Sequence, residues 1–273
     1  MPPLQSYSIT DKGLQRPNNE DCYLSTPDLN LWLVADGMGG HEAGEVASAI
    51  TRDTISEQVE QGNTLEQAIL MAHTNVMQAI ESGQGGEGMG STVVALHNSG
   101  TDYDIAWVGD SRAYVWSITA EGGQLDQLTT DHSYVQMLLE SGSIAAEEME
   151  THPEKNVITQ CIGSFDNPNI QVDTLNNKWR PNQWILLCSD GLTDELSNQE
   201  IAEALCHASS IEDAGDKLIA AALDHGGKDN VTVQLIASPQ QHNIPRTTLM
   251  QSPWIILALL AAFGLIAALA WWL

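Results

Sequence analysis

The sequence predicts an α+β fold in which antiparallel sheets are covered by pairs of helices. Strand-like runs follow one another directly between residues 91 and 118, which is typical of an antiparallel meander. Helix-like segments instead come in consecutive pairs, at 42–82 and again at 198–224. A parallel α/β sheet would require strands and helices to alternate strictly, and this chain does not follow that order.

The first third of the chain predicts three strands and then a helix pair. Short runs at 1–10, 22–26 and 31–36 have the apolar content of strands. Apolar residues recur every three or four positions in the next two segments, which predicts helices over 42–61 and 64–82.

The remaining elements follow the same two periodicities. We expect strands at 91–97, 104–108 and 112–118, two short helices within 132–149, strands near 170–175 and 184–189, helices near 198–207 and 211–224, and a last strand at 231–236.

Composition excludes several classes of function. The 273 residues include 36 acidic and 10 basic side chains, so the formal net charge is −26. Nucleic acid is therefore not an expected partner, because phosphate backbones require a basic surface. The four cysteines lie far apart without a Cys-x-x-Cys pair, which indicates free thiols rather than a zinc site or a disulfide framework. The N-terminus lacks the basic and apolar regions of an export signal.

The C-terminus predicts one transmembrane helix at 254–273. These 20 residues contain no charge and have tryptophans at both ends, and about 20 apolar residues cross a bilayer. A buried core helix and a cleaved lipid-anchor tail are the alternatives. We expect a single-pass tail anchor in the membrane, a linker at 238–253 and a cytoplasmic domain at 1–237.

The stretch at 34–41 predicts the centre of the functional site. An apolar strand ends there at Asp36, and three glycines follow within four residues. Asp110, Asp190 and Asp229 also lie where a strand ends or begins. Any one of them alone is typical of a turn, but four such carboxylates in one place would repel each other unless cations lay among them. Carboxylate oxygens select Mg²⁺ or Mn²⁺, and two such ions can activate water for attack on phosphorus.

Arg16 is the candidate ligand for a substrate phosphate. It lies in a polar loop just before Glu20 and Asp21. A guanidinium group can hold two phosphate oxygens at once, although an isolated loop arginine is more often a surface charge.

Six segments in order resemble the motifs of the metal-dependent serine/threonine protein phosphatases, the 2C-like or PPM family, in their bacterial form. The resemblance covers about residues 5–237, and the segments are 16–21, 34–41, 88–92, 108–112, 189–194 and 229–233. It implies a four-layer α-β-β-α sandwich, with two antiparallel sheets flanked by helix pairs. It also implies hydrolysis of phosphoserine and phosphothreonine by direct attack of a metal-bridging hydroxide, with no phosphoenzyme.

The resemblance further implies a role for each candidate residue. Asp36 would bridge two Mn²⁺ or Mg²⁺ ions, with the Gly37 carbonyl on the second, and Asp190 and Asp229 would complete the first. Glu20 and Asp21 would act through metal-bound waters. A weaker third ion would be held by Asp110, Asp190 and Asp194, and Arg16 would bind the phosphate.

The expected partners are phosphoprotein substrates and an opposing serine/threonine kinase, and we expect the catalytic domain to be monomeric. The chain departs from the family pattern at two positions. Met38 stands where animal relatives have a histidine proposed as the general acid, so the proton must come from His41 or a metal-bound water. Lys155 stands where arginine is usual in the flap beside the active site.

Two other functions remain possible from the sequence. One is a non-catalytic scaffold that keeps the same fold, which the complete set of carboxylates disfavours. The other is a metal-dependent phosphodiesterase acting on nucleotides or nucleic acid, which the charge of −26 disfavours.

Overall fold

A computed structural model describes residues 3–40, 43–86, 88–119, 122–149 and 151–240. Residues 241–253 of the expected linker and the expected transmembrane segment at 254–273 lie outside these ranges, as does His41. Across the described ranges, no helix combines the length and the apolar character needed to cross a bilayer.

The strands of the described ranges form two antiparallel sheets. In chain order they are β1 (Ser6–Asp11), β2 (Asp21–Thr26), β3 (Leu31–Met38), β4 (Gly90–Ser91), β5 (Val93–Asn98), β6 (Asp102–Val108), β7 (Arg112–Thr119), β8 (Gly122–Gln127), β9 (Asp173–Lys178), β10 (Gln183–Cys188) and β11 (Val231–Ala237). The first sheet has the order β1-β11-β10-β7-β8. The second has the order β2-β3-β5-β6-β9, and the short β4 pairs with the end of β3.

Two pairs among the described helices cover the outer faces of the sheets. In chain order, the described helices are α1 (Ala43–Glu60), α2 (Leu65–Glu81), α3 (Tyr134–Glu140), α4 (Ala146–Met149), α5 (Asp190–Thr193), α6 (Asn198–Cys206) and α7 (Ile211–Asp224). The pair α1–α2 packs on the second sheet, and the pair α6–α7 packs on the first. Thr64 and Ser197 cap α2 and α6 through complete capping boxes, which satisfy amide groups at the helix starts.

Three apolar cores separate the four layers. Ile69 and Val76 of α2 lie in the outer core beneath the second sheet, and Leu218 of α7 lies in the corresponding core beneath the first. Between the sheets, Trp32 and Ile185 belong to a shared core of aromatic and branched side chains. The layer order is therefore helix, sheet, sheet, helix, and the predicted α+β fold with two antiparallel sheets is confirmed.

Three details differ from the sequence prediction. The strand β8 was not predicted, because Gly122-Gly123-Gln124-Leu125-Asp126-Gln127 has little of the β-branched or aromatic content of strands. It pairs with β7, and its position depends on packing against that strand. A side-chain carbon at Gly123 would lie 2.2 Å from the Trp116 ring, so only glycine leaves room for the indole. The strand β9 begins at Asp173, later than the predicted 170, and Asp190 starts the unpredicted short helix α5.

Candidate active site

A cleft of about 270 Å³ lies at one end of the two sheets. Two strands of each sheet end or begin beside it. These are the ends of β3 and β6 in the second sheet, and the end of β10 and the start of β11 in the first. The described residues that line it are Arg16, Glu20, Asp36, Gly37, Met38, Gly39, Thr92, Asp110, Asn156, Ile158, Asp190 and Asp229. All four strand-end aspartates singled out in the sequence therefore face one cleft.

The backbone of Asp36 is held by the short strand β4 and the residue after it. The Asp36 amide donates to Thr92 Oγ1 at 3.3 Å, and its carbonyl accepts from the Thr92 amide at 2.8 Å. The Ser91 hydroxyl donates to the same carbonyl at 3.1 Å. Asp36 thus projects from a backbone that is fixed on both its donor and acceptor sides.

Two glycines let the end of β3 lie against the start of α1. A side-chain carbon at Gly37 would come within 2.1 Å of the Gly44 carbonyl oxygen. One at Gly44 would come within 2.7 Å of the Glu20 carboxyl carbon. The Glu20 carboxylate therefore lies at the N-terminus of α1, where helix amides favour negative charge.

Asp21 lies behind Asp36, opposite it in the β2–β3 pairing. It is 7% exposed, and its Oδ2 accepts hydrogen bonds from the hydroxyls of Ser189 and Thr232, each at 2.7 Å. Its other carboxylate oxygen is buried without a hydrogen-bond partner among the described atoms. Sequence reasoning did not single out Ser189 or Thr232 as partners of Asp21, because both lie far from it along the chain.

The carboxylates raise one another's pKa. Burial first, and then the charges of Asp21, Asp190 and Asp110, raise the pKa of Asp36 well above its usual range. Burial followed by the charge of Asp110 does the same to the pKa of Asp190. The pKa of Asp21 rises to about 6, mainly through burial, and that of Asp110 to about 7 through burial and the charge of Asp131. The buried carboxylates therefore carry an excess of negative charge, which a divalent cation would offset.

Arg16 contacts the carboxylate of Asp229. Its Nη2 donates to Asp229 Oδ2 at 2.5 Å, and 48% of the Arg16 side chain is exposed. The expected phosphate ligand and an expected metal ligand are thus an ion pair at the edge of the cleft. The guanidinium also lowers the pKa of Glu20, but burial outweighs it and raises that pKa overall.

Asn230 fixes the loop that carries Arg16. Its Oδ1 accepts from the Glu20 amide at 2.7 Å, and its Nδ2 donates to the carbonyls of Asn18 at 2.8 Å and Lys12 at 2.9 Å. It is 4% exposed. The sequence placed Asn230 in a motif beside Asp229 without indicating that its side chain reaches across to this loop.

A smaller cleft of about 100 Å³ adjoins the first and shares Asp110 and Asp190 with it. Asp194 lines this second cleft, where it accepts from Lys155 Nζ at 3.0 Å and from Asn156 Nδ2 at 2.7 Å. The residue that departs from the family pattern, Lys155, is therefore the ion-pair partner of an expected third-metal ligand.

The donor set fits a hard divalent cation. Asp21 and Asp190 each have a buried carboxylate oxygen without a hydrogen-bond partner in the described structure, and oxygen ligands suit Mg²⁺ and Mn²⁺. Within the same ranges, no three acidic, histidine or cysteine side chains form a group that could hold an ion as they are arranged.

The source of the leaving-group proton stays a prediction. Met38 lines the cleft, and the described residues around it include no histidine. His41 lies outside the described residues, so its distance from the cleft is not given by the structure.

The chain is similar to known protein phosphatases in sequence. Residues 15–226 match the family model described as "Protein phosphatase 2C". Over 240 residues the chain is 34% identical to the serine/threonine phosphatase stp of Listeria welshimeri, covering 83% of this chain and 93% of that protein.

Solved structures have the same fold. The serine/threonine phosphatase PstP/Ppp of Mycobacterium tuberculosis matches with a TM-score of 0.78 and 33% identity, over 88% of this chain and 100% of that one. A structure of the catalytic domain of PstP in complex with two manganese ions matches with a TM-score of 0.75 and 32% identity, over 86% of this chain and 98% of that one.

Proposed function

Since the chain belongs to the protein phosphatase 2C family, it is a serine/threonine protein phosphatase, and we propose that the carboxylates around Asp36 carry out its reaction with Mn²⁺ or Mg²⁺. The observation that supports this most strongly is the convergence of Asp36, Asp110, Asp190 and Asp229 on one cleft. The raised pKa values of Asp36, Asp110 and Asp190, and the buried carboxylate oxygens of Asp21 and Asp190 without hydrogen-bond partners, indicate a site that cations would stabilise.

Each carboxylate has a proposed role. Asp36, Asp190, Asp229 and the Gly37 carbonyl would together hold the two divalent ions. Glu20, which lines the cleft, and Asp21, which is buried behind Asp36, would contact the ions through water. Asp110, Asp190 and Asp194 would hold a weaker third ion, and Asp194 would then have to give up its hydrogen bond from Lys155.

The bound ions supply a water nucleophile of lowered pKa and neutralise charge on the phosphoryl oxygens. The protein itself orients the substrate. Arg16, which pairs with Asp229 in this structure, would hold two oxygens of the phosphoserine or phosphothreonine group. The leaving serine or threonine oxygen takes its proton from His41 or from water.

Two substitutions test these roles in the purified full-length protein in detergent. Asp36→Asn should abolish release of phosphate from phosphothreonine peptides even at saturating Mn²⁺. Arg16→Ala should mainly raise KM, because it removes a phosphate ligand and leaves the metal ligands in place. Asp126→Asn, on the exposed edge strand β8, is the matched control and should be silent. Equal, mild losses in the first two variants would contradict the assigned roles.

We also propose that residues 254–273 anchor the enzyme in the membrane with its catalytic domain in the cytoplasm. The supporting observation is the run of 20 uncharged residues. The described chain leaves the domain near Gln240, whose carbonyl accepts from the Asn182 amide just before β10. Asp190 follows the opposite end of that strand, so Gln240, the last described residue, and the cleft lie at opposite ends of the first sheet.

Such a tether favours phosphoprotein substrates at the membrane and an opposing kinase there, because it raises their effective concentration. Deleting 254–273 should move the protein to the soluble fraction while its activity on phosphopeptides is retained. Continued membrane association of the truncated protein would contradict the anchor and leave the catalytic roles untouched.

A further inference from the structure

His73 is a buried histidine on α2, outside the cleft, whose two ring nitrogens both contact one loop. It is 4% exposed. The Gly163 amide donates to Nδ1 at 3.0 Å, and Nε2 lies 3.3 Å from the Pro168 carbonyl oxygen. Because Nδ1 accepts, these partners assign a neutral ring with its proton on Nε2.

Ile162, the residue before Gly163, pairs with Ser91 of β4, the short strand beside the Asp36 backbone. The Ile162 amide donates to the Ser91 carbonyl at 2.8 Å, and the Ser91 amide donates to the Ile162 carbonyl at 3.1 Å. Both residues are fully buried. The Ser91 hydroxyl lies 3.1 Å from the Asp36 carbonyl oxygen and 2.7 Å from the Thr92 carbonyl oxygen, and the Thr92 amide donates to the Asp36 carbonyl at 2.8 Å. A continuous set of contacts therefore runs from His73 through Gly163, Ile162 and Ser91 to the backbone of Asp36.

The same segment also ends the flap. Ile158 lines the cleft, and the Thr159 amide donates to the His132 carbonyl at 2.7 Å where the flap begins. Only four residues separate Ile158 from Gly163, so a displacement of Gly163 would reach the lining of the cleft.

The contact between this segment and α2 is tight. A side-chain carbon at Gly163 would lie 2.4 Å from Val76 Cγ1, and the Gly163 φ of +85° favours glycine. The backbone therefore lies directly on the helix, and Nδ1 of His73 satisfies the Gly163 amide that points at it.

We infer that His73 is a positioning residue for catalysis: its Nδ1 fixes Gly163, and through the Ile162–Ser91 pairing it sets the backbone of Asp36. The inference rests on the role proposed for Asp36 above. The contact of Nε2 with the Pro168 carbonyl holds a later part of the same loop, and none of the contacts described from Pro168 reaches a residue of the cleft. A histidine that merely stabilised the fold would need both contacts equally.

Two substitutions separate the contacts of His73. Asn places an amide oxygen near the position of Nδ1 and has no atom at the position of Nε2, whereas Gln places its terminal amide near Nε2 and leaves the Gly163 amide without an acceptor. With full-length protein in detergent at saturating Mn²⁺, His73→Gln should lower kcat about tenfold or more, the scale of a misplaced catalytic group. His73→Asn should keep kcat within about twofold of the wild type.

Readouts other than turnover accompany these kinetics. Calorimetric titration with Mn²⁺ alone should show weaker binding for His73→Gln than for His73→Asn. Hydrogen exchange of the 159–164 peptide should accelerate only in His73→Gln. Thermal melts should show that both variants lose stability, so that loss of stability by itself does not explain the difference in kcat.

The outcomes divide cleanly. If Asn and Gln lower kcat equally, in step with their melting temperatures, or if Gln keeps full activity, the inference is wrong. If His73→Gln does not fold, Ser91→Ala takes its place, because it removes the hydroxyl that contacts the carbonyls of Asp36 and Thr92. Ser91→Ala should lower kcat and Mn²⁺ affinity while leaving Gly163 exchange unchanged, and normal kcat and affinity would overturn the proposal. The Asp36→Asn experiment tests the site itself, so the two failures are distinguishable.

Discussion

Removing the side chain of Asn230 should detach the Arg16 loop from the cleft without touching a metal ligand. The Asn230→Ala substitution deletes three hydrogen bonds, to the Glu20 amide and to the carbonyls of Lys12 and Asn18. Together with the Arg16–Asp229 ion pair, these bonds link the start of β11 to the loop that carries Arg16.

The expected size of the effect follows from these three bonds. Each contributes about 1 kcal/mol, so the loop should lose about 3 kcal/mol of its attachment. At about 1.4 kcal/mol per factor of ten, kcat/KM should fall by up to about a hundredfold. The loss should be mainly in KM, because Arg16 is displaced and the metal ligands Asp36 and Asp190 are not.

Steady-state kinetics on a phosphothreonine peptide with Mn²⁺ measure this effect, with thermal melts in parallel. Asn176→Ala is the matched control, since it removes an exposed asparagine with one side-chain hydrogen bond, to Asp104 on the neighbouring strand. If Asn230→Ala lowers the melting temperature and leaves KM unchanged, Asn230 stabilises the fold only, and the reasoning about Arg16 is refuted.

Three further predictions follow from the same structure. Asp36→Asn should raise the melting temperature in EDTA by about 2–4 °C, because it replaces a buried carboxylate that lies among like charges with a neutral amide. This shift corresponds to about 1 kcal/mol in a domain of this size, and a lower melting temperature would contradict the reasoning. Burial lowers the pKa of His73, so its neutral ring stabilises the fold above the unfolded pKa of about 6.5, and this contribution is lost as the pH falls through the folded pKa. The melting temperatures of wild type and His73→Asn should therefore approach each other between pH 7.5 and pH 5, and a constant difference would refute the assignment. Gly123→Val should lower the melting temperature by about 4–8 °C and leave kcat unchanged, since the new side chain overlaps Trp116 far from the cleft, and a silent substitution would show that β8 shifts freely.

Much of the fold and of the function was predictable because the signals are local. Helices α1, α2, α6 and α7 follow apolar residues spaced for one buried face, and the predicted bounds agree closely with those observed. The phosphatase function predicted from six ordered motifs is confirmed by the family match and by the similar proteins. The use of Mn²⁺ or Mg²⁺ is likewise supported, whereas the role of each ligand stays a prediction.

The sequence by itself determined the fold class, the family and the residue types of the cleft, including the strand that ends at Asp36 and its glycine turn. Only the tertiary structure decided which groups hold those residues in place. Ser189 reaches Asp21 across 168 residues, Asn230 reaches Lys12 across 218, and His73 reaches Gly163 across 90. Such contacts leave no periodicity in the chain, because a single hydrogen bond between distant residues depends on how the two sheets and their helices pack.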